Sequence, residues 1–323
     1  MGVRQIERAH ALLSASGAKR WIACTPSARL EDTFPDSDTE FSLEGTLAHK
    51  VAETVLSLYL KSEDDIIYML HQTLNSDQDL AMEKEIDRIL KEVDPYIDFV
   101  IEEYKNAITT HGQASLLLEQ RLDYSDYAPE GFGTGDAILL YADTIEVIDL
   151  KFGKGVAVDA EDNPQLRLYG LGALGTFGPI YDFDTVRMTI HQPRLDHVTT
   201  ESLPVTELVA WAENEVKPRA LLAYEGKGEY VPGGHCRFCK AAAVCRARAE
   251  ENLTLMRLDF KNPDILSDEE IAEVLLQAEK LAPWVSAVQE YALDQALKGV
   301  DFPGFKVVEG RSNRVYKLSL IHI

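Results

Sequence analysis

Between Val147 and Gly155 the chain reads VIDLKFGKG, and this stretch constrains the fold more than any other. Alternate side chains of a strand share a face, so Ile145, Val147, Asp149 and Lys151 point one way while Ile148, Leu150 and Phe152 point the other. Both faces are apolar enough to be covered. A carboxylate and an ammonium two residues apart in such a strand must be paired, coordinated or used, because burying either alone costs several kcal/mol.

The preceding segment, GTGDAILLYADTIEVIDL, supplies a hairpin partner. With Ala142 and Asp143 as the turn, Tyr141 faces Thr144, and counting back along both strands brings Asp136 opposite Asp149. Directly facing residues have Cβ atoms roughly 4.5–5.5 Å apart, where like charges are destabilising unless a cation intervenes. A divalent metal is the economical answer. The alternative is an Asp149–Lys151 ion pair with Asp136 capping the GTGD turn, and a three-residue loop in place of Ala142–Asp143 would slip the register by one.

The surrounding elements follow from periodicity and caps. SLEGTLAHKVAETVLSLYL has Leu47, Val51, Val55 and Leu58 at helical spacing, and residues 78–109 read as a long helical region interrupted at Pro95. ASLLLEQRLDY adds a strand before the hairpin. NPQLRLYGLGALGTFG reads as a helix with Asn163 as N-cap and Pro164 at the first helical position, ending near Gly175. TVRMTIHQPR is a further strand, so the order strands, helix, strand predicts a sheet with a crossover helix. Residues 267–299 predict a helical hairpin or kinked helix, with a Ser267/Glu270 capping box, a break at Pro283 and a cap at Gly299. The terminal RVYKLSLIHI is an apolar tail with no stop signal, which suggests truncation or a foreign end.

The formal charge of −22 speaks against a protein that binds nucleic acid by coating itself in positive potential. Basic residues nevertheless gather in the first thirty positions and in 226–249. No apolar run approaches the ~18 residues of a membrane span, and MGVRQIERAH lacks a signal-peptide core, so the expected location is cytoplasmic.

Taken in order, a helix with His49, a strand with GTGD, a strand with IDLK and a helix with QLRLY resemble the RecB-like branch of the PD-(D/E)XK nuclease superfamily, over about residues 14 to 250. The resemblance implies an α/β, restriction-endonuclease-like core, a central mixed sheet flanked by helices. It implies that His49, Asp136 and Asp149, with the backbone carbonyl of Leu150, bind Mg²⁺ or Mn²⁺. Lys151 would hold or activate the attacking water, and Gln165 and Tyr169 match the Q-x-x-x-Y motif that positions nucleic acid. Asp149 stands where many relatives carry Glu. Glu44 and Glu119 lie near these motifs and are assigned no ligand role.

The chain has four cysteines, Cys24 and the C-x2-C-x5-C trio Cys236, Cys239 and Cys245. Thiols so close together in a cytoplasmic chain point to a metal before a disulfide. Unligated core cysteines, a structural Zn²⁺ site in which His235 could replace Cys24, and a four-thiolate [4Fe–4S] cluster are the readings. The layout of one Cys before the core and three after it resembles iron–sulfur members of the same superfamily, the AddB-type repair nucleases and the CRISPR-adaptation nucleases. That resemblance implies an iron–sulfur subdomain clamping residues 1–255, with 256–323 as a helical C-terminal extension.

The expected function is therefore metal-dependent DNA cleavage, exonuclease-like on single strands or ends, in DNA repair, recombination or the processing of phage DNA. No helicase motif is visible, so unwinding would need a helicase or recombination partner. The competing class is a non-catalytic nucleic-acid-binding recombination accessory protein of the same fold.

Overall fold

The computed structural model describes residues 11–35, 40–75, 79–255 and 268–308. Five strands make one sheet in sequence order: β1 (Ser115–Asp123), β2 (Phe132–Tyr141), β3 (Thr144–Leu150), β4 (Thr185–Gln192) and β5 (His197–Pro204). All neighbours are antiparallel except β3 and β4, which run parallel. Parallel neighbours require a crossover, and α6 (Pro164–Phe177) makes it. Its start is fixed as the sequence predicts, the Asn163 side chain accepting the Gln165 and Leu166 amides, with Pro164 in the first turn.

The β2–β3 hairpin has the predicted two-residue turn, from Tyr141↔Thr144 back to Ala137↔Ile148. Ala142 takes a φ of +45°, unfavourable for alanine. The turn is held from outside, because the Asp143 carbonyl accepts the Asp184 and Thr185 amides where β4 begins. A one-residue slip would also turn every apolar side chain of β3 to the wrong face.

Both faces of the sheet are covered. Ile138, Leu140, Ile145 and Val147 pack with Leu166 and Leu168 of α6 and with Leu208 of α7 (Val205–Trp211). Ala137, Leu139, Ile148 and Leu150 pack on the other side with Val51 and Leu56 of α3 (Glu40–Leu60) and Ile86, Ile89 and Val93 of α5 (Leu80–His111). Helix α5 runs straight through Pro95, where the sequence predicts a break. Seven of its side chains, among them Val93, Tyr96 and Ile97 around the proline, are buried, and that burial outweighs the roughly 3 kcal/mol a mid-helix proline costs. Strand β5 is unannounced in the sequence, because HVTTESLP alternates between exposed and half-buried polar side chains and has little apolar signal.

A partly buried ionic cluster centred on Arg194 joins the helical layer to the end of the sheet. Arg194, 5% exposed, holds Glu44 of α3 bidentately at 2.6 and 2.8 Å and also pairs with Glu92 of α5. Its guanidinium lies 3.5 Å from the centroid of the Phe152 ring and donates to the Phe152 carbonyl. Arg88 closes the cluster on Glu44, Glu85 and Glu92. Glu44, held by Arg194 and Arg88, titrates at about 2. The cluster fixes the segment immediately after Lys151.

The chain divides into two compact units, residues 1–231 and 232–323. In the second, a turn at Gly234–Phe238 leads through the three cysteines into α9 (Arg246–Leu255), and Arg248 donates to the Cys236 carbonyl at 3.0 Å. Helix α10 (Asp268–Leu297) is a single helix that contains Pro283 without the predicted break, and Gly299 beyond it has a φ of +94°. The predicted capping box falls partly, and the apolar tail wholly, outside the described residues. Among the described residues no helix is long and apolar enough to cross a membrane.

Arg194→Met keeps volume but removes the buried guanidinium from Glu44 and Glu92, which retain only Arg88. It is expected to destabilise the protein by roughly 1–3 kcal/mol, the range for lost charge-assisted hydrogen bonds, measured by urea denaturation. A change within about 0.5 kcal/mol would show that the cluster is not holding the sheet to α3 and α5.

Candidate active site

Three adjacent strands place a carboxylate on the same rung. Leu118↔Ala137 and Gln120↔Gly135 bracket Glu119 and Asp136, and the β2–β3 register continues from Ala137↔Ile148 to Asp136 beside Asp149. Continued by one residue, these registers bring Glu119 of β1, Asp136 of β2 and Asp149 of β3 to one level of the sheet, with Asp136 meeting α3 and Asp149 meeting α6.

The rung is also where the strands change face. Before it, Leu116 and Leu118 pack toward α3 and α5; after it, Leu122 packs toward α6. On β2, side chains added at Gly133 and Gly135 would meet Tyr169 and Leu122 on the α6 side, yet Ala137 and Leu139 face α3 and α5. Regular alternation fails on both strands together. Glu119 absorbs the switch with a φ of +49°, a conformation rare for glutamate. The switch turns Asp136 toward α3, where its Oδ1 lies 3.1 Å from His49 Nδ1.

Asp136 is held on its other side as well, since Oδ2 accepts the Leu150 amide at 2.7 Å. Ligand atoms of His49, Glu119 and Asp136 all lie within 4.8 Å of one another, and with Leu150 they line a small cavity under α3. Burial draws the His49 pKa down, but the charge and hydrogen bond of Asp136 more than reverse this and raise it to about 9. Burial pushes Glu119 up to about 7, with the charge of Asp136 adding to the effect. At neutral pH the trio therefore carries protons that a cation would displace. Glu119 lacks a sequence signal of its own, and the β1–β2 register is what brings it here.

Asp149 is buried, and Lys151 Nζ lies 2.7 Å from its Oδ2. Gln165 links the two, accepting from Lys151 Nζ at 3.0 Å and donating to Asp149 Oδ1 at 3.3 Å and to the Tyr169 hydroxyl at 3.3 Å. Burial and the nearby Asp136 raise the Asp149 pKa, and Lys151 opposes that rise. Gln165 and Tyr169 sit one turn apart on α6, as their spacing predicts. Gly133 makes room for the Tyr169 ring, since a Cβ there would lie 2.6 Å from its Cε1. The structure thus gathers His49, Asp136, Asp149, Leu150, Lys151, Gln165 and Tyr169 around one end of the sheet and adds Glu119. Glu44 lies instead in the ionic cluster with Arg88 and Arg194.

None of the four cysteines is in a disulfide; Cys24 is buried in the first unit and Cys236, Cys239 and Cys245 are half-buried in the second. Cys236 and Cys239 are joined across a tight turn, the Cys239 amide donating to the Cys236 carbonyl at 3.2 Å.

Two solved structures are similar to parts of this chain. A candidate exonuclease from Eubacterium rectale aligns at 12% identity over 82% of this chain and 97% of its own, with a TM-score of 0.36. The protein SSO0001 aligns at 13% identity over 61% of this chain and 95% of its own, with a TM-score of 0.26. The family profile described as "protein of unknown function (DUF2800)" matches residues 10–319, and the chain belongs to that family.

Proposed function

We propose that this protein is a metal-dependent deoxyribonuclease with a PD-(D/E)XK, restriction-endonuclease-like core, acting as an exonuclease on single strands or ends. One observation carries the reading: Asp136 and Asp149 share a rung, with Lys151 clamped between Asp149 and Gln165 and with His49 against Asp136. A scaffold that only binds nucleic acid has no need to bring two carboxylates within electrostatic reach of each other in a covered sheet.

The donor set suits a hard divalent cation. His49, Asp136, Asp149 and the Leu150 carbonyl would hold Mg²⁺ or Mn²⁺, and Glu119 is close enough to His49 and Asp136 to join them. Such an ion supplies Lewis acidity toward a phosphate oxygen and toward water. The chain's own groups do the rest. Lys151, partly exposed and held by Asp149 and Gln165, offsets charge on the phosphate and orients a water for in-line attack. Gln165 and Tyr169 keep the ammonium and the carboxylate in one geometry, and the Arg194 cluster fixes the segment that follows.

We assign the four thiols to a [4Fe–4S] cluster held by Cys24, Cys236, Cys239 and Cys245, with a structural Zn²⁺ site as the alternative. The chemistry of the donors supports this, since four cysteines outside any disulfide, three of them in a ten-residue run, suit thiolate ligation of either metal. The biological setting that fits is DNA repair, recombination or the processing of phage DNA.

Two outcomes are expected. End-labelled DNA should be degraded with Mn²⁺ or Mg²⁺ by anaerobically purified protein, and Lys151→Ala should lower the rate by about 10²-fold or more; absence of cutting by metal-loaded protein would favour the accessory-protein reading. The same preparation should be brown, with absorption near ~400 nm that Cys24→Ala bleaches. Full colour in that variant would remove Cys24 from the ligand set, and zinc without iron or sulfide would replace the cluster.

A further inference from the structure

The face switch at Glu119 and Asp136 also decides what lies beyond the carboxylates. Gly133 and Gly135 look toward Tyr169 and Leu122 on the α6 side, so Phe132, Thr134 and Asp136 project together on the opposite face, the one from which His49 reaches Asp136. Arg121 pairs with Thr134 and therefore shares that face. Helices α3 and α5 cover this face at Ala137 and Leu139 but leave it open here, since Arg121 and Thr134 are exposed and Phe132 is half-buried.

On this open strip the Arg121 guanidinium lies 3.8 Å from the centroid of the Phe132 ring. Among the described residues Arg121 makes no ion pair. The carboxylate next along its face, Asp123, accepts the Ser125 amide at 2.8 Å; bonds from the Ser125 side chain and amide lower its pKa, and the nearby charge of Arg121 adds to this without a direct ion pair. An arginine over a phenyl ring at an exposed position offers its guanidinium face to a base and its N–H groups to a phosphate. At ~3.3 Å per residue, Phe132 stands about 13 Å from Asp136 along β2. That is about four nucleotides of a stacked strand, and fewer when the bases are splayed.

We propose that Arg121 and Phe132 form a stacking platform for a single DNA strand, binding a nucleotide a few positions from the phosphate at the carboxylate rung. The location relative to the scissile phosphate rests on the nuclease reading; the binding itself does not. A base stacks on the guanidinium while the guanidinium edge donates to the adjoining phosphate. Such contacts tolerate any base, so the platform selects single strands and not sequence.

The test uses the full chain with Lys151→Ala to prevent cutting and a fluorescein-labelled oligo-dT as probe, followed by anisotropy. Phe132→Ala and Arg121→Ala are each expected to weaken binding by about 5- to 150-fold, the range of a lost stacking contact. Phe132→Trp should keep the affinity, and its added indole emission should be quenched by unlabelled oligo-dT. Affinity for blunt duplex should change far less than affinity for oligo-dT. Unchanged oligo-dT affinity in both alanine variants with unquenched indole emission, or no binding by the parent, overturns the platform. Cleavage by protein with intact Lys151 separates the two ideas. Cutting with no effect at Phe132 or Arg121 leaves the nuclease and removes the platform, whereas Phe132-dependent binding without cutting leaves the platform and removes the nuclease.

Discussion

Like charges on neighbouring strands of a covered sheet are the constraint around which this molecule is arranged. Glu119, Asp136 and Asp149 occupy one rung, and each needs a partner or a proton to be there at all. Asp136 has the Leu150 amide on one oxygen and His49 on the other; Asp149 has Lys151 and Gln165; Glu119 titrates near neutrality. These partners come from α3, β3 and α6, so satisfying the rung fixes where those elements sit. Carboxylates this close in a covered sheet persist because each has such a partner or proton.

The layers outside the rung extend the same logic. Arg194 bridges α3 and α5 while gripping Phe152, one residue past Lys151. Gly133 opens space for Tyr169, whose hydroxyl accepts from the Gln165 amide. The positive charge of His49 and Lys151 partly offsets the carboxylates they contact.

Much of this was legible before any coordinates. Apolar alternation in β2 and β3 sets their register, because a slip would expose the whole apolar set, and that register brings Asp136 beside Asp149. Asn163–Pro164 marks the start of α6 and hence the phase of Gln165 and Tyr169. What stayed hidden depends on tertiary context. Pro95 and Pro283 read as breaks by local chemistry, yet both lie inside continuous helices. Strand β5 is held by pairing with β4 and not by an apolar pattern. Glu119 lies near the motifs in the sequence, but its place beside His49 and Asp136 depends on the left-handed backbone that swaps the faces of β1, for which a glutamate gives no sequence warning. The spacing of the thiols is plain in the sequence, but spacing alone does not distinguish zinc from iron.

The most direct test of the carboxylate rung as a metal centre is calorimetric titration of Mn²⁺ at pH 7 in two buffers of different ionisation enthalpy, comparing the protein with Asp136→Asn. The account expects Mn²⁺ to bind with release of protons, chiefly from His49, whose pKa of about 9 leaves it protonated in the free site, and expects the variant to lose most of that affinity. Equal Mn²⁺ affinity in the two proteins, or no binding by either, would contradict it.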